Sequence, residues 1–180
     1  IPRDTYHICT KWPARDRSGQ TITNPKILTE AIDSSLTKLN VDYIDVMMLH
    51  GVLPEEYDLI VDNLAGTLID AKKSGKIRSI GLSTRFSVDP AQKGALEALE
   101  KHPTLWEVLM VKYGILNQYA AKHILPLSQK HSIGIMNMAA VRVKLPDEKL
   151  LEELIEKWKT ENKIEVDSLP SKGPLRWLLN

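Results

Sequence analysis

Two hydrophobic rhythms alternate along the chain. Short apolar, β-branched runs occur at Thr5 to Thr10, Tyr43 to His50, Lys76 to Ser83, Trp106 to Tyr113 and Ile133 to Ala140. Each reads as a buried strand. Longer amphipathic stretches with helical spacing lie between them. In the first, Asn24 stands as N-cap and Pro25 at the first helical position. Ile27, Leu28, Ala31, Ile32, Ser35, Leu36 and Leu39 then form its apolar face. "LIVDNLAGTLIDAKKSGK" ends in lysines, with Gly75 as its C-cap. Asp89-Pro90 opens a helix through "GALEALEKH", and "QYAAKHILPLSQKHS" and "PDEKLLEELIEKWKTEN" are two more helical patterns. The charges of "EELIEKWK" suit an exposed face with i,i+4 pairs, and "GPLRWLLN" reads as a helix only begun. No low-complexity tract, linker or repeat interrupts the pattern, so residues 1–180 are expected to form a single domain.

Strands alternating with helices over short connections indicate parallel βαβ units. An open doubly wound sheet or a (β/α)8 barrel would satisfy that order. A nucleotide-binding doubly wound sheet normally has a Gly-rich turn after its first strand. Here "TKWPARDRSGQ" follows, with neither G-x-G-x-x-G nor a Walker-type loop. The barrel is therefore favoured. A complete barrel takes about 250 residues and eight strands, so five strands predict a partial TIM barrel and an incomplete chain. The opening "IPRDTYHICTK" has no methionine, which fits a fragment or a processed product and leaves any leader unseen.

Composition narrows the function classes. A formal net charge of +1 over 180 residues disfavours nucleic-acid and membrane-surface partners, which usually show as basic excess. The apolar runs are of strand length, too short to span a bilayer. One cysteine, Cys9, excludes an internal disulfide framework and fits a reducing, cytoplasmic setting.

Candidate chemistry gathers at strand ends. Lys11 closes the first strand on the side shared with Cys9 and His7, and His50 closes the second. In a parallel barrel both ends face the catalytic side. A partly desolvated lysine there can tune a neighbouring acid, and an imidazole can donate to a substrate carbonyl. Taken singly, each is more often a solvated strand terminus. Asp45 has the opposite parity to His50 and reads as structural, meeting backbone or a helix end. A zinc site of His7, Cys9 and His50 is excluded by reach: His7 lies roughly 13 Å below Lys11, whereas zinc ligands converge within about 2.0–2.3 Å. His102, His123 and His131 suit surface or helix-end roles. Arg142 and Lys144 follow the fifth strand, to meet a cofactor phosphate or simply to be solvated. Trp12 and Trp106 shape a pocket or close the core.

The words around Lys11 and His50 are more specific. "ICTKW", "SLTKLNVDYIDVMMLHG" and "LIDAKKSGKIRSIGLST" occur in that order, followed by "VLMVKYGILNQ", "IGIMNMAA" and "GPLRWLL". Together they resemble the aldo-keto reductase family over nearly the whole chain. The resemblance makes the five strands the third to seventh of its barrel, with the first, second and eighth not in this chain. It implies NAD(P)(H)-dependent interconversion of a small carbonyl compound and an alcohol, with NADP(H) favoured over NAD(H).

By the same resemblance Lys11 and His50 are two members of a catalytic tetrad. The family's general-acid tyrosine and its aspartate precede this segment, so none of Tyr6, Tyr43, Tyr57, Tyr113 or Tyr119 takes that role. Ser83 matches the serine that holds the nicotinamide carboxamide. Thr84 stands where asparagine is usual, Met110 where glutamine is frequent, and Met138 near a position where an aromatic ring stacks on nicotinamide. Those departures leave a second function open: a nicotinamide-binding barrel that senses redox state or regulates a partner with little turnover. An upstream tyrosine would favour the enzyme. The resemblance fixes neither the substrate nor the oligomeric state.

Overall fold

A computed structural model describes residues 1–114, 117–140 and 147–161. Its sheet contains β1 (Cys9–Pro13), β2 (Ile44–Val52), β3 (Ile77–Thr84), β4 (Val108–Lys112) and β5 (Gly134–Met138), in chain order. Neighbours from β1 to β4 pair in parallel. Helices fill the connections: α1 (Pro25–Leu39), α2 (Tyr57–Lys73), α3 (Lys93–Lys101), and the short α4 (Tyr119–His123) and α5 (Leu125–Lys130). α6 (Glu148–Thr160) follows β5. This is the α/β order of a partial (β/α)8 barrel. No helix among the described residues is long and apolar enough to cross a membrane. The segment "GPLRWLLN" lies outside the described residues.

The chain divides into two compact units, residues 1–111 with 119–137, and residues 112–118 with 138–180. In the first, one sheet face stacks Met47 and Leu49 of β2, Ile80 and Leu82 of β3 and Leu109 of β4, all buried. Burying each such side chain contributes about 1.5–3 kcal/mol. α1 adds Leu28 and Ile32, and α2 adds Ile60, Leu64 and Leu68. In the second unit Gly114 and Asn117 exchange a reciprocal pair of backbone hydrogen bonds. A side chain at Gly114 would meet Ala140 O at 2.9 Å. α6 is capped by Asp147, which accepts from Leu150 N–H at 3.0 Å, and it buries Leu151.

Local chemistry explains where elements begin and stop. Asn24 Oδ1 accepts from Lys26 N–H, Pro25 occupies the first helical position, and Asn40 ends α1 in the left-handed region at φ 52°. On that helix Ile27 and Leu39 are exposed, so its buried stripe is narrower than the pattern predicts. Gly75, at φ 79°, follows the end of α2. α3 starts at Lys93 rather than at Pro90, because the buried Asp89 carboxylate accepts from the N–H groups of Lys93 and Gly94. The single helix expected over "QYAAKHILPLSQKHS" is two, broken at Ile124 before Pro126, whose missing N–H cannot continue the first.

β1 also starts later than the run Thr5 to Thr10 suggests. Residues Arg3–Thr5 form a 3-10 turn instead. The Arg3 guanidinium holds that turn against the Tyr43 and Tyr6 carbonyls and the Asp45 carboxylate. His7 consequently precedes the strand.

Candidate active site

Register decides which side chains meet. Lys11 lies opposite Met48, Pro13 opposite His50, His50 opposite Ser83, and Ser83 opposite Met110. Paired residues of a parallel sheet share a face, and so do residues two apart on one strand. Lys11, His50, Ser83 and Met110 therefore collect on one face near the carboxyl ends of four strands. Lys11 and His50 are not at equivalent positions, as the sequence suggests. They are staggered by two residues, the offset expected where strands tilt around a barrel.

Space on that face comes from Gly81, which lies opposite Met48 in the register. A Cβ on Gly81 would stand 2.7 Å from Met48 Cγ. Across the face, Lys11 Nζ reaches Met110 Sδ at 3.5 Å, although two strands separate their own. A thioether is a weak acceptor, so this contact holds the ammonium loosely. Lys11 is exposed, not partly desolvated as the strand-end argument supposes.

His50 is followed by a backbone irregularity that fixes its setting. The β2–β3 register slips between His50 and Val52, and Gly51 takes φ 75°. The extra residue is a bulge that requires a left-handed conformation, which glycine adopts without penalty. The His50 pKa is lowered from the ordinary imidazole value, first by partial burial and then by the positive charges of Lys11 and Arg85. The ring is thus neutral near pH 7 and keeps one N–H to donate.

Ser83 and Thr84 are buried, and neither hydroxyl finds a hydrogen-bond partner. Leaving a buried hydroxyl unpaired costs about 1–3 kcal/mol, so Ser83 Oγ, beside His50, suits a polar ligand atom. Strand alternation starts Thr84 from the opposite face. Met138 ends β5 and is half-buried in the second unit. Arg142 and Lys144 lie outside the described residues.

Asp45 is at the other end of β2. Its carboxylate accepts from Ile8 N–H at 2.9 Å and pairs with Arg3, His7 and Arg78. Burial pushes its pKa up, but the Ile8 N–H, Arg3 and His7 overcome that and hold it well below the usual carboxylate range. Two networks escape a sequence reading. Tyr57, buried at the start of α2, receives the Trp106 Nε1–H at 2.8 Å and meets His102 Nδ1 at 3.1 Å. Burial, ahead of every other influence, pushes its pKa up to about 12. His102 thus sits at the end of α3, as a helix-end role requires, but half-buried and paired with Tyr57 rather than on the surface, and Trp106 closes the core. Glu56, also buried, receives Arg15, the Thr21 hydroxyl and Leu53 N–H, tying the loop after β1 to the loop after β2. Nothing local in "VLPEEYD" distinguishes Glu56 from Glu55, because its partners come from 35 and 41 residues away.

A parallel sheet in chain order, with polar groups collected at its strand ends, defines a barrel-type α/β chain of the kind that places chemistry on that rim. More narrowly, the chain belongs to the aldo/keto reductase family, whose model matches residues 1–163. Members of that family bind nicotinamide cofactors. The chain is 24% identical over 151 residues to L-galactose dehydrogenase of Arabidopsis thaliana, covering 81% of this chain and 44% of that protein. It is 29% identical over 127 residues to the NADH-specific methylglyoxal reductase of Escherichia coli, covering 67% and 35%. It thus spans less than half the length of these curated relatives. An aldo-keto reductase of Bacillus halodurans in its holo form superposes with a TM-score of 0.63 at 25% identity, covering 81% of this chain and 47% of that one. An aldo/keto reductase of Brucella melitensis gives 0.61 at 22%, covering 88% and 56%.

Proposed function

We propose that the protein is an NAD(P)(H)-dependent oxidoreductase, built as a single barrel domain, that interconverts a small aldehyde or ketone and its alcohol. The observation that carries this reading is the gathering of Lys11, His50 and unpartnered Ser83 on one face at adjacent strand ends. In it, a bound nicotinamide cofactor supplies or accepts the hydride. His50 donates its N–H to the substrate carbonyl oxygen and orients it. Lys11 brings a positive charge towards the oxygen on which negative charge develops. The general acid comes from outside residues 1–180, as the family pattern implies.

Ser83 Oγ is the group suited to the nicotinamide carboxamide, with Met110 beside it in register and with Thr84, which starts from the opposite face, and Met138 as the further cofactor contacts the family pattern implies. Met110 offers sulfur where a carboxamide side chain would give two-way hydrogen bonding, so Ser83 carries more of that recognition. Met138 would offer a polarizable thioether to the nicotinamide ring where the family pattern has an aromatic. NADP(H) is the favoured form on the family pattern, and the NADH-specific Escherichia coli relative makes it a point to measure. The partner is a small molecule, with neither nucleic acid nor membrane needed. The single thiol suits a cytoplasmic setting.

The test is a fluorescence titration of the full-length gene product with NADPH and NADH, with carbonyl-dependent oxidation followed in parallel. His50→Ala and Lys11→Ala are expected to retain binding and each to lose about 10²–10⁴-fold in kcat. Tight binding with no turnover in any form, across a broad carbonyl panel, would replace the enzyme by a redox-sensing module. No binding of either nucleotide would end the cofactor assignment.

A further inference from the structure

β3 ends at Thr84, and the next residue, Arg85, is exposed at the strand's carboxyl end. Its aliphatic stem lies across Gly51: Arg85 Cβ and Cδ stand 3.8 and 4.0 Å from where a side chain on that glycine would begin. Gly51 directly follows His50, so the stem crosses β2 where the imidazole is presented. The bulge that turns the chain after His50 thereby also makes the seat for Arg85. Its charge is felt at the ring, where it joins Lys11 in opposing protonation. Lys11 of β1 and Arg85, just past the end of β3, thus both bring positive charge within electrostatic reach of His50 on β2.

Two buried acids in the neighbouring loops, Glu56 and Asp89, are engaged elsewhere. Glu56 is held by Arg15, Thr21 and the Leu53 N–H, and Asp89 by the N–H groups that start α3. Glu55 lines a cavity with Val88, Pro90 and Lys93. Arg3, Arg15 and Arg78 all sit in ion pairs. By contrast, no described carboxylate forms an ion pair with Arg85 or with Arg17, and of these two it is Arg85 whose charge bears on His50. An arginine beside a substrate-polarising imidazole, with no acid to neutralise it, presents a planar fork matched to a carboxylate or phosphate.

We propose that Arg85 is a specificity-determining residue that binds an anionic group of the substrate, so that the site takes aldehydes or ketones bearing a carboxylate or phosphate close to the carbonyl. This rests on the carbonyl-reduction reading above. The carbonyl oxygen lies at His50 while the anion is gripped at Arg85. The joint field of Arg85 and Lys11 raises the local concentration of anions at the rim.

Paired probes differing in charge test this on the full-length gene product. Succinic semialdehyde is compared with butanal for a carboxylate, and glyceraldehyde 3-phosphate with glyceraldehyde for a phosphate. The wild type is expected to favour the anionic member of at least one pair, and the pair that responds identifies the anion. Arg85→Gln is expected to lower the anionic-to-neutral ratio of kcat/KM by about tenfold or more, mainly through KM, with partial recovery in Arg85→Lys. A ratio unchanged by Arg85→Gln overturns the proposal, as does a loss that appears in the affinity for NADPH instead. If no carbonyl is turned over, the reductase reading fails, and the Arg85 claim is decided by binding alone. The His50 ring resonances are then followed by NMR against succinate and inorganic phosphate. A saturable shift in the wild type that Arg85→Gln abolishes supports the anion site, and no shift overturns it.

Discussion

Gly51 is a single hydrogen atom's worth of side chain on which the geometry around His50 depends. At φ 75° it occupies the left-handed region, and it is the extra residue that slips β2 by one position against β3. Any L-residue there adopts a strained backbone, and a methyl group would also approach Arg85. Gly51→Ala is therefore expected to lower unfolding stability by about 1–2 kcal/mol, read by urea denaturation. Because the strain falls one residue from the imidazole, carbonyl reduction should fall more than nucleotide affinity does. Equal stability and equal kcat in the variant would show that the bulge is not fixed by its glycine. The sequence shows His50 and Gly51 as a strand end, which is correct in kind. It cannot show the bulge, because the slip is defined only by the partner strand. Tyr57 teaches the same lesson: its helix is legible from periodicity, but its hydrogen bonds to Trp106 and His102 join residues 49 and 45 positions away.

Elements are legible where the signal is local. The Asn24-Pro25 start of α1 and the glycine after α2 are read correctly because capping needs only neighbouring residues. β1 is misplaced because the competing influence is distant: Asp45 captures Arg3 and the Ile8 N–H and draws residues before Cys9 out of the strand. One carboxylate thus organises the amino-terminal ends of three strands, since Arg78 belongs to β3. The Asp45 pKa is depressed in the fold, so the unfolded chain takes up its proton first as pH falls. Its stabilisation is complete above the ordinary carboxylate range and is lost as pH drops towards the lower folded value. Asp45→Asn is expected to cost about 2 kcal/mol near neutral pH. The gap between variant and wild type should close on acidification, followed by thermal melts from pH 7 down to about pH 2. A gap that stays constant across that range would remove the charge from the explanation and leave only shape.

At the scale of the whole molecule, the order of strands and helices is legible because each βαβ unit carries its own periodicity, and the barrel class because no Gly-rich turn follows the first strand. The two-residue stagger of Lys11 and His50 is not, because strand tilt is a property of the assembled sheet. The same assembly argument bears on the 180 residues expressed alone. β1 pairs only with β2 among the described residues, and its own positions alternate between exposed and half-buried. An open parallel edge of this kind offers unpaired backbone groups to another chain, and parallel sheets are normally covered on both faces. The isolated chain is therefore expected to self-associate as its concentration rises, as seen by light scattering after size-exclusion chromatography. It should show no carbonyl-dependent oxidation of NADPH even where His50 and Lys11 are intact, because the proposed general acid is not among its residues. A stable monomer with measurable turnover would mean that these five strands close a working site unaided, and the proton donor would then have to be sought within residues 1–180.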